Sequence, residues 1–131
     1  MWLYTTLGFF SCVKDRQSDL IIIRARVKED IENLKRLTPH LGAIIETPNR
    51  DYPFRATIKR FFFDTLLSEI ALSVDYPNFK DEVKKKQGKD RAGLYTRIWA
   101  TTISLEKNRQ DRFLKKTENL INQMGKARRI I

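Results

Sequence analysis

Arg24, Arg26 and Arg55 stand in two stretches of alternating character, LIIIRARV over Leu20–Val27 and YPFRATI over Tyr52–Ile58. Guanidinium groups are planar, permanently charged and forked, so several raised from one rigid surface form a site for phosphate or carboxylate oxygens. A second cationic set is Lys84, Lys85 and Lys86, followed by Lys89, Arg91 and Arg97. A third is Lys115, Lys116, Arg128 and Arg129, with Arg112 and Lys126 nearby. Runs of this kind neutralise phosphates without reading bases. The plainer reading of the same runs is a solvated helix face.

Catalytic chemistry finds little support. With one histidine, His40, and one cysteine, Cys12, a single chain cannot assemble a Cys/His zinc site. His40 follows Pro39 at a helix end and reads as an exposed loop residue, with none of the partners that a nucleophilic triad requires. Cys12 reads as a small packing residue. Gly88-Lys89 and Gly125-Lys126 lack the earlier glycine and the following Ser/Thr of a phosphate-cradling loop. Glu82-Val83-Lys84, with Asp64 or Asp75 upstream, is similar to the D…ExK arrangement of metal-dependent nucleases, in which carboxylates hold a divalent cation and the lysine activates water. That arrangement wants Glu82 and Lys84 on one face of a strand, whereas the local pattern is helical. The nuclease is therefore a remote alternative, and the chain is expected to be non-enzymatic and to carry no cofactor.

The elements that must position the arginines can be drawn from periodicity. Trp2–Val13 is rich in aromatic and β-branched residues, and the polar segment Lys14–Asp19 separates it from LIIIRARV, which predicts a hairpin. Pairing near Val13–Ile21 would set Ser11 opposite Ile23 and Phe9 opposite Ala25 on the buried face. Phe10 and Cys12 would then share the open face with Arg24 and Arg26, where Trp2 and Tyr4 could add stacking surfaces. Alternatively, the last helix covers Phe10 and Trp2 while the arginines pair with Glu46 or other acids at the rim of the sheet. Helices are predicted over Lys28–Leu37, with Glu29 and Asp30 in the first turn, and over Arg60–Val74. Ala43–Glu46 and Tyr52–Ile58 are the third and fourth strands, the latter with Phe54, Ala56 and Ile58 inward. Asn78 caps a short helix, Phe79–Gln87, which stops at Gly88. Asp90 caps a long one, Arg91–Met124, which leaves the core or breaks at the charged stretch Glu106–Arg112.

The order ββαββα followed by helices predicts an α+β fold: a four-stranded, mainly antiparallel sheet with helices on one face. Residues 1–99 would form the domain, and 100–131 a basic helical C-terminal extension. Beyond the charged stretch, Phe113, Leu120, Ile121 and Met124 form an apolar set. If the helix projects, that set needs a partner, most simply a second copy of the chain through this helix; otherwise it folds back onto the sheet.

The segments WLYTTLGFF, RARV, DYPFRA and NFKDEV…QG…LYTRIW resemble a pattern of small uncharacterised bacterial proteins over residues 2–99. The resemblance implies a bacterial origin, with mobile elements as one source, and brings no activity or site residues with it.

Length and composition bound the rest. At 131 residues with 41% hydrophobic content the chain is one folded domain in size and class. Its net charge of +10 is uneven: residues 1–79 hold 11 Lys/Arg against 10 Asp/Glu, and residues 80–131 hold 15 against 6. One cysteine fits a reducing compartment, and the apolar start is interrupted by Thr5, Thr6 and Ser11 with no basic segment before it, unlike a signal peptide. No run approaches the ~18 apolar residues of a membrane span. These features together predict a cytoplasmic protein that binds an anionic partner, nucleic acid before lipid, through the basic C-terminal helices with help from the arginine face. The competing expectation is a protein-binding or self-associating module, antitoxin-, immunity- or phage-inhibitor-like, whose partner is an acidic protein or a second copy.

Overall fold

The aromatic start of the chain does not form one strand. In the computed structural model, which describes residues 1–106 and 109–129, it folds as β1 (Trp2–Tyr4) and β2 (Phe9–Lys14), separated by a tight turn. Thr5 makes that turn: its Oγ1 accepts from the amides of Leu7 and Gly8, both at 3.1 Å, and donates to the Gly8 carbonyl at 2.9 Å. Gly8 has φ +153°, and a Cβ there would meet the Cβ of Asp30 at 2.6 Å, so the position requires glycine. The sequence signal was a threonine hydroxyl followed by glycine, which the surrounding aromatics conceal.

β3 (Leu20–Ala25) follows, then α1 (Lys28–Leu37), β4 (Ile45–Glu46), β5 (Phe54–Lys59) and α2 (Arg60–Leu72). After these come α3 (Phe79–Gln87), α4 (Lys89–Thr102), a single 3-10 turn (Ile103–Leu105) and α5 (Arg109–Arg129). The fold is α+β. The described residues form a five-stranded antiparallel sheet in the order β1-β2-β3-β5-β4, in place of the four strands expected. The expected long last helix is divided: α4 ends at Thr102, ahead of the charged stretch, the 3-10 turn follows it, and α5 begins at Arg109. Lys89, rather than Arg91, opens α4. The chain divides into two compact units, Met1–Tyr95 and Thr96–Ile131. No helix among the described residues is long and apolar enough to cross a membrane.

In the first unit, α1 and α2 pack on one face of the sheet. Ile21, Ile23 and Ala25 of β3, Ala56 and Ile58 of β5, and Phe10 and Cys12 of β2 meet Ile31 and Leu34 of α1 and Phe63 and Leu66 of α2. This fulfils the alternation of β3 and β5 and corrects that of β2. Cys12 lies opposite Ile23, and Ser11 opposite Arg24. Phe10 and Cys12 therefore face the core, whereas Phe9 and Ser11 share the open face with Arg24. The sequence FFSCV carries no alternation that would fix this parity, because Phe9 and Phe10 are both aromatic and Ser11 and Cys12 are both small. The Ser11 hydroxyl, only 1% exposed, is satisfied by Arg24 Nη2 at 2.6 Å, which removes the cost of burying it.

α3 and α4 are tied to the Thr5–Gly8 turn. Gln87 Nε2 donates to the carbonyls of Thr5 and Thr6, and the Tyr95 hydroxyl donates to the Thr5 carbonyl at 3.3 Å. From α1, Asn33 reaches the Leu7 carbonyl at 2.8 Å and Asp30 accepts from the Phe9 amide at 3.0 Å. Asp30 also takes Arg91 in a forked pair at 2.8 and 3.0 Å. Asn78 caps α3 as expected, accepting from the Asp81 amide at 2.9 Å, and Gly88 ends it at φ +90°.

Candidate functional site

The open face of the sheet gathers three of the predicted arginines. The strand registers place Trp2, Ser11, Arg24, Arg55 and Ile45 in one transverse row crossing β1, β2, β3, β5 and β4 in turn. The next row on the same face begins with Tyr4 and Phe9, whose rings stack at 4.5 Å. Arg26, just beyond the end of β3, continues that row. Trp2 and Tyr4 belong to this face because Leu3 between them packs against the core.

Arg24 and Arg55 are direct cross-strand neighbours. Like charges placed opposite each other on adjacent strands destabilise a sheet unless something neutralises them. Here no carboxylate does so: neither these two nor Arg26 and Arg50 forms an ion pair among the described residues. Glu46, the one partner named in the alternative reading, pairs with Lys28 at 3.5 Å. Burial, with Arg50 and Arg24 close by, lowers the pKa of Arg55 from the ordinary guanidinium value, and Asp51 opposes this only in part.

The guanidinium groups are nonetheless held in place. Arg24 and Arg26 lie over the ring of Tyr52, with their central carbons 4.7 and 4.8 Å from its centroid. Tyr52 is buried, and Phe9 touches it at a centroid distance of 6.3 Å. Arg26 Nη1 donates to the Asp51 carbonyl at 2.6 Å, Arg55 Nε donates to the Tyr52 carbonyl at 3.4 Å, and Arg24 is fixed by Ser11. Arg24 Nε is buried and has no hydrogen-bond partner among the described residues. Tyr52, Ser11 and Phe9 are the site residues that sequence reasoning missed. Phe9 and Ser11 were missed because FFSCV carries no alternation to show which of its residues face out, and nothing local marks Tyr52 as the platform under two arginines.

The remaining candidates are dispersed. Lys84, Lys85 and Lys89 are exposed, while Lys86 pairs with Glu82 at 3.4 Å within α3. Arg91 is removed from the anion-binding set. Its side chain is committed to Asp30, and the hydrogen bond to that carboxylate holds its pKa above the ordinary value. Arg97, Lys115, Lys116 and Arg128 are exposed in the second unit, and the side chain of Arg129 lies outside the described ones. Phe113, Leu120, Ile121 and Met124 are all exposed along α5, as is Leu114, which the sequence reading passed over. His40 is exposed and stacks on Phe62 at 3.6 Å.

No group of three His, Cys, Asp or Glu side chains among the described residues is placed to hold a metal ion. Glu82 and Lys84 lie on a helix two residues apart, so they face different directions and cannot share one face as D…ExK chemistry needs. Comparison with known proteins gives no match: no family model, curated protein or solved structure aligns with the chain.

Proposed function

We propose that the protein is a non-enzymatic module that binds an anionic partner, nucleic acid, through phosphate contacts made on the arginine face of the sheet. The observation that carries this reading is the cross-strand pair Arg24–Arg55, which forms no ion pair with a carboxylate among the described residues. A phosphate offers several acceptor oxygens and negative charge at once, which answers the repulsion between the two guanidinium groups. Tyr52, Ser11 and the Asp51 carbonyl fix the arginines in advance, so little side-chain entropy is lost on binding. The exposed lysines of α3 and α4 add unspecific attraction.

The test is fluorescence anisotropy with mixed DNA and RNA oligonucleotides in dilute salt, on wild type and on Arg24→Ala/Arg55→Thr. Binding that falls steeply with salt and is at least about tenfold weaker in the variant supports the reading. Absence of binding by the wild type at low salt removes it. Because Arg24→Ala relieves a like-charge pair but also takes from the buried Ser11 hydroxyl its partner, urea unfolding of the variant accompanies the assay, and binding is compared only where the variant is folded.

A second reading, self-association through α5, is favoured by the exposed apolar set Phe113, Leu114, Leu120, Ile121 and Met124. Its spacing keeps these side chains on one broad stripe of the helix.

A further inference from the structure

We infer that the open sheet face takes single-stranded nucleic acid, with a base stacked on Trp2 and a neighbouring phosphate held by Arg24 and Arg55. This rests on the phosphate-binding reading above and names the form of nucleic acid that the face selects. Trp2 is 67% exposed, yet it stands in the same transverse row as the arginine pair. Two strand spacings, about 10 Å, separate its backbone from that of Arg24. Between them lies only Ser11, small and covered by the Arg24 guanidinium, so nothing on the row rises between aromatic and cation.

A strand of nucleic acid laid along the row would meet an indole first and a guanidinium pair next. Tyr4 and Phe9, already stacked on each other in the adjoining row, extend the aromatic surface.

Duplex nucleic acid cannot use such a surface. Its bases are already stacked on one another, and it offers a flat sheet only its phosphates. It is read instead by helices or strands that enter a groove. Unpaired bases present a free face, and each base stacked on an aromatic contributes enough to change affinity several-fold to more than a hundredfold, whatever its identity. Charge complementarity supplies the other half, because no carboxylate among the described residues forms an ion pair with the cations of the row. The combination predicts a preference for single strands over duplex with little sequence dependence.

The test uses the full chain carrying Trp99→Phe, so that Trp2 is its one tryptophan. Three probes are titrated at one salt concentration: a short oligothymidylate, a hairpin duplex with the same number of phosphates, and inorganic polyphosphate of matched charge. The expected result is saturable quenching of Trp2 by oligothymidylate, which binds at least about tenfold tighter than the hairpin. Read instead by the anisotropy of labelled oligothymidylate, with polyphosphate as competitor, Trp2→Ala should remove about tenfold of that affinity and Trp2→Phe should restore most of it, while polyphosphate binding stays unchanged in both. Equal affinity for oligothymidylate and hairpin, or a silent Trp2→Ala beside a damaging Arg24→Ala, overturns the inference and leaves phosphate binding standing. Failure of all three probes to bind overturns both.

Discussion

Asp30 does two jobs with one carboxylate, and the arrangement has a measurable cost attached. It is 3% exposed, accepts from the backbone of Phe9 and forks onto Arg91, so it fixes both the start of β2 and the position of α4. Removing one member of a buried pair strands the other's charge, which is costlier than replacing both by apolar groups. Arg91→Met should therefore lower the unfolding free energy by about 3 kcal/mol, the lower end of the range because Arg91 keeps some solvent contact. Asp30→Leu/Arg91→Met should recover part of that loss, and urea unfolding of the three proteins checks the order. A double variant less stable than Arg91→Met would mean that the Phe9 amide, not the charge, is what Asp30 secures. Cys12 allows a second prediction at this scale. Burial pushes its thiol from the ordinary 9.0 to about 11, and Tyr95 is raised too, chiefly by burial. Between those values the unfolded chain has lost a proton that the folded chain still holds. Stability is thus fully present below pH 9 and falls as the pH climbs toward 11. Cys12→Ala should flatten this alkaline decline, whatever it does to stability at neutral pH, and native wild type should resist thiol reagents at pH 8 until denaturant is added.

At the scale of elements, those with a strict period were legible in the sequence. β3 and β5 alternate cleanly, and α1 and α3 have the bounds that their apolar spacing and the Asn78 and Gly88 signals predict. β1 and β2 were not separable by pattern, because the break between them lies in a hydroxyl–amide turn inside an apolar run. The candidate site inherited the same division. Arg24, Arg26 and Arg55 were placed on the open face by alternation alone, whereas Phe10 was put there in place of Phe9 by the slipped parity. Arg91 was misassigned because its partner lies far away in sequence, in an α1 turn where an acid already had a local reason to be. α5 is the element whose sequence and structure leave most apolar surface uncovered. If a second copy covers that stripe, Leu120→Asp/Ile121→Asp should convert a concentration-dependent dimer to a monomer in light scattering, without changing the helical circular dichroism of the first unit. A wild type that is monomeric at every concentration removes self-association through α5.

The charge of the whole molecule and the geometry of the arginine face point to different places, and binding energetics can tell them apart. Residues 80–131 carry 15 Lys/Arg against 6 Asp/Glu, yet the preorganised, unneutralised cations belong to the nearly balanced residues 1–79. Exposed lysines on α3 and α4 attract any polyanion through a potential that decays within about 10 Å at moderate salt, and they do not discriminate its form. The arginine row touches specific oxygens beside an aromatic, so it should carry the discrimination. The two contributions separate in a plot of log affinity against log salt for oligothymidylate and for the hairpin. Lys84→Gln/Lys85→Gln/Lys89→Gln should reduce the slope by up to about 0.7 per lysine on single strands, while leaving the ratio of the two affinities where it was. Arg24→Ala/Arg55→Thr should reduce the slope by a similar amount per residue and also collapse that ratio toward one. Were the lysine variant to collapse the ratio while the arginine variant kept it, selection would reside on the helices, and the uncompensated Arg24–Arg55 pair would be a cost borne by the sheet with no ligand to answer it.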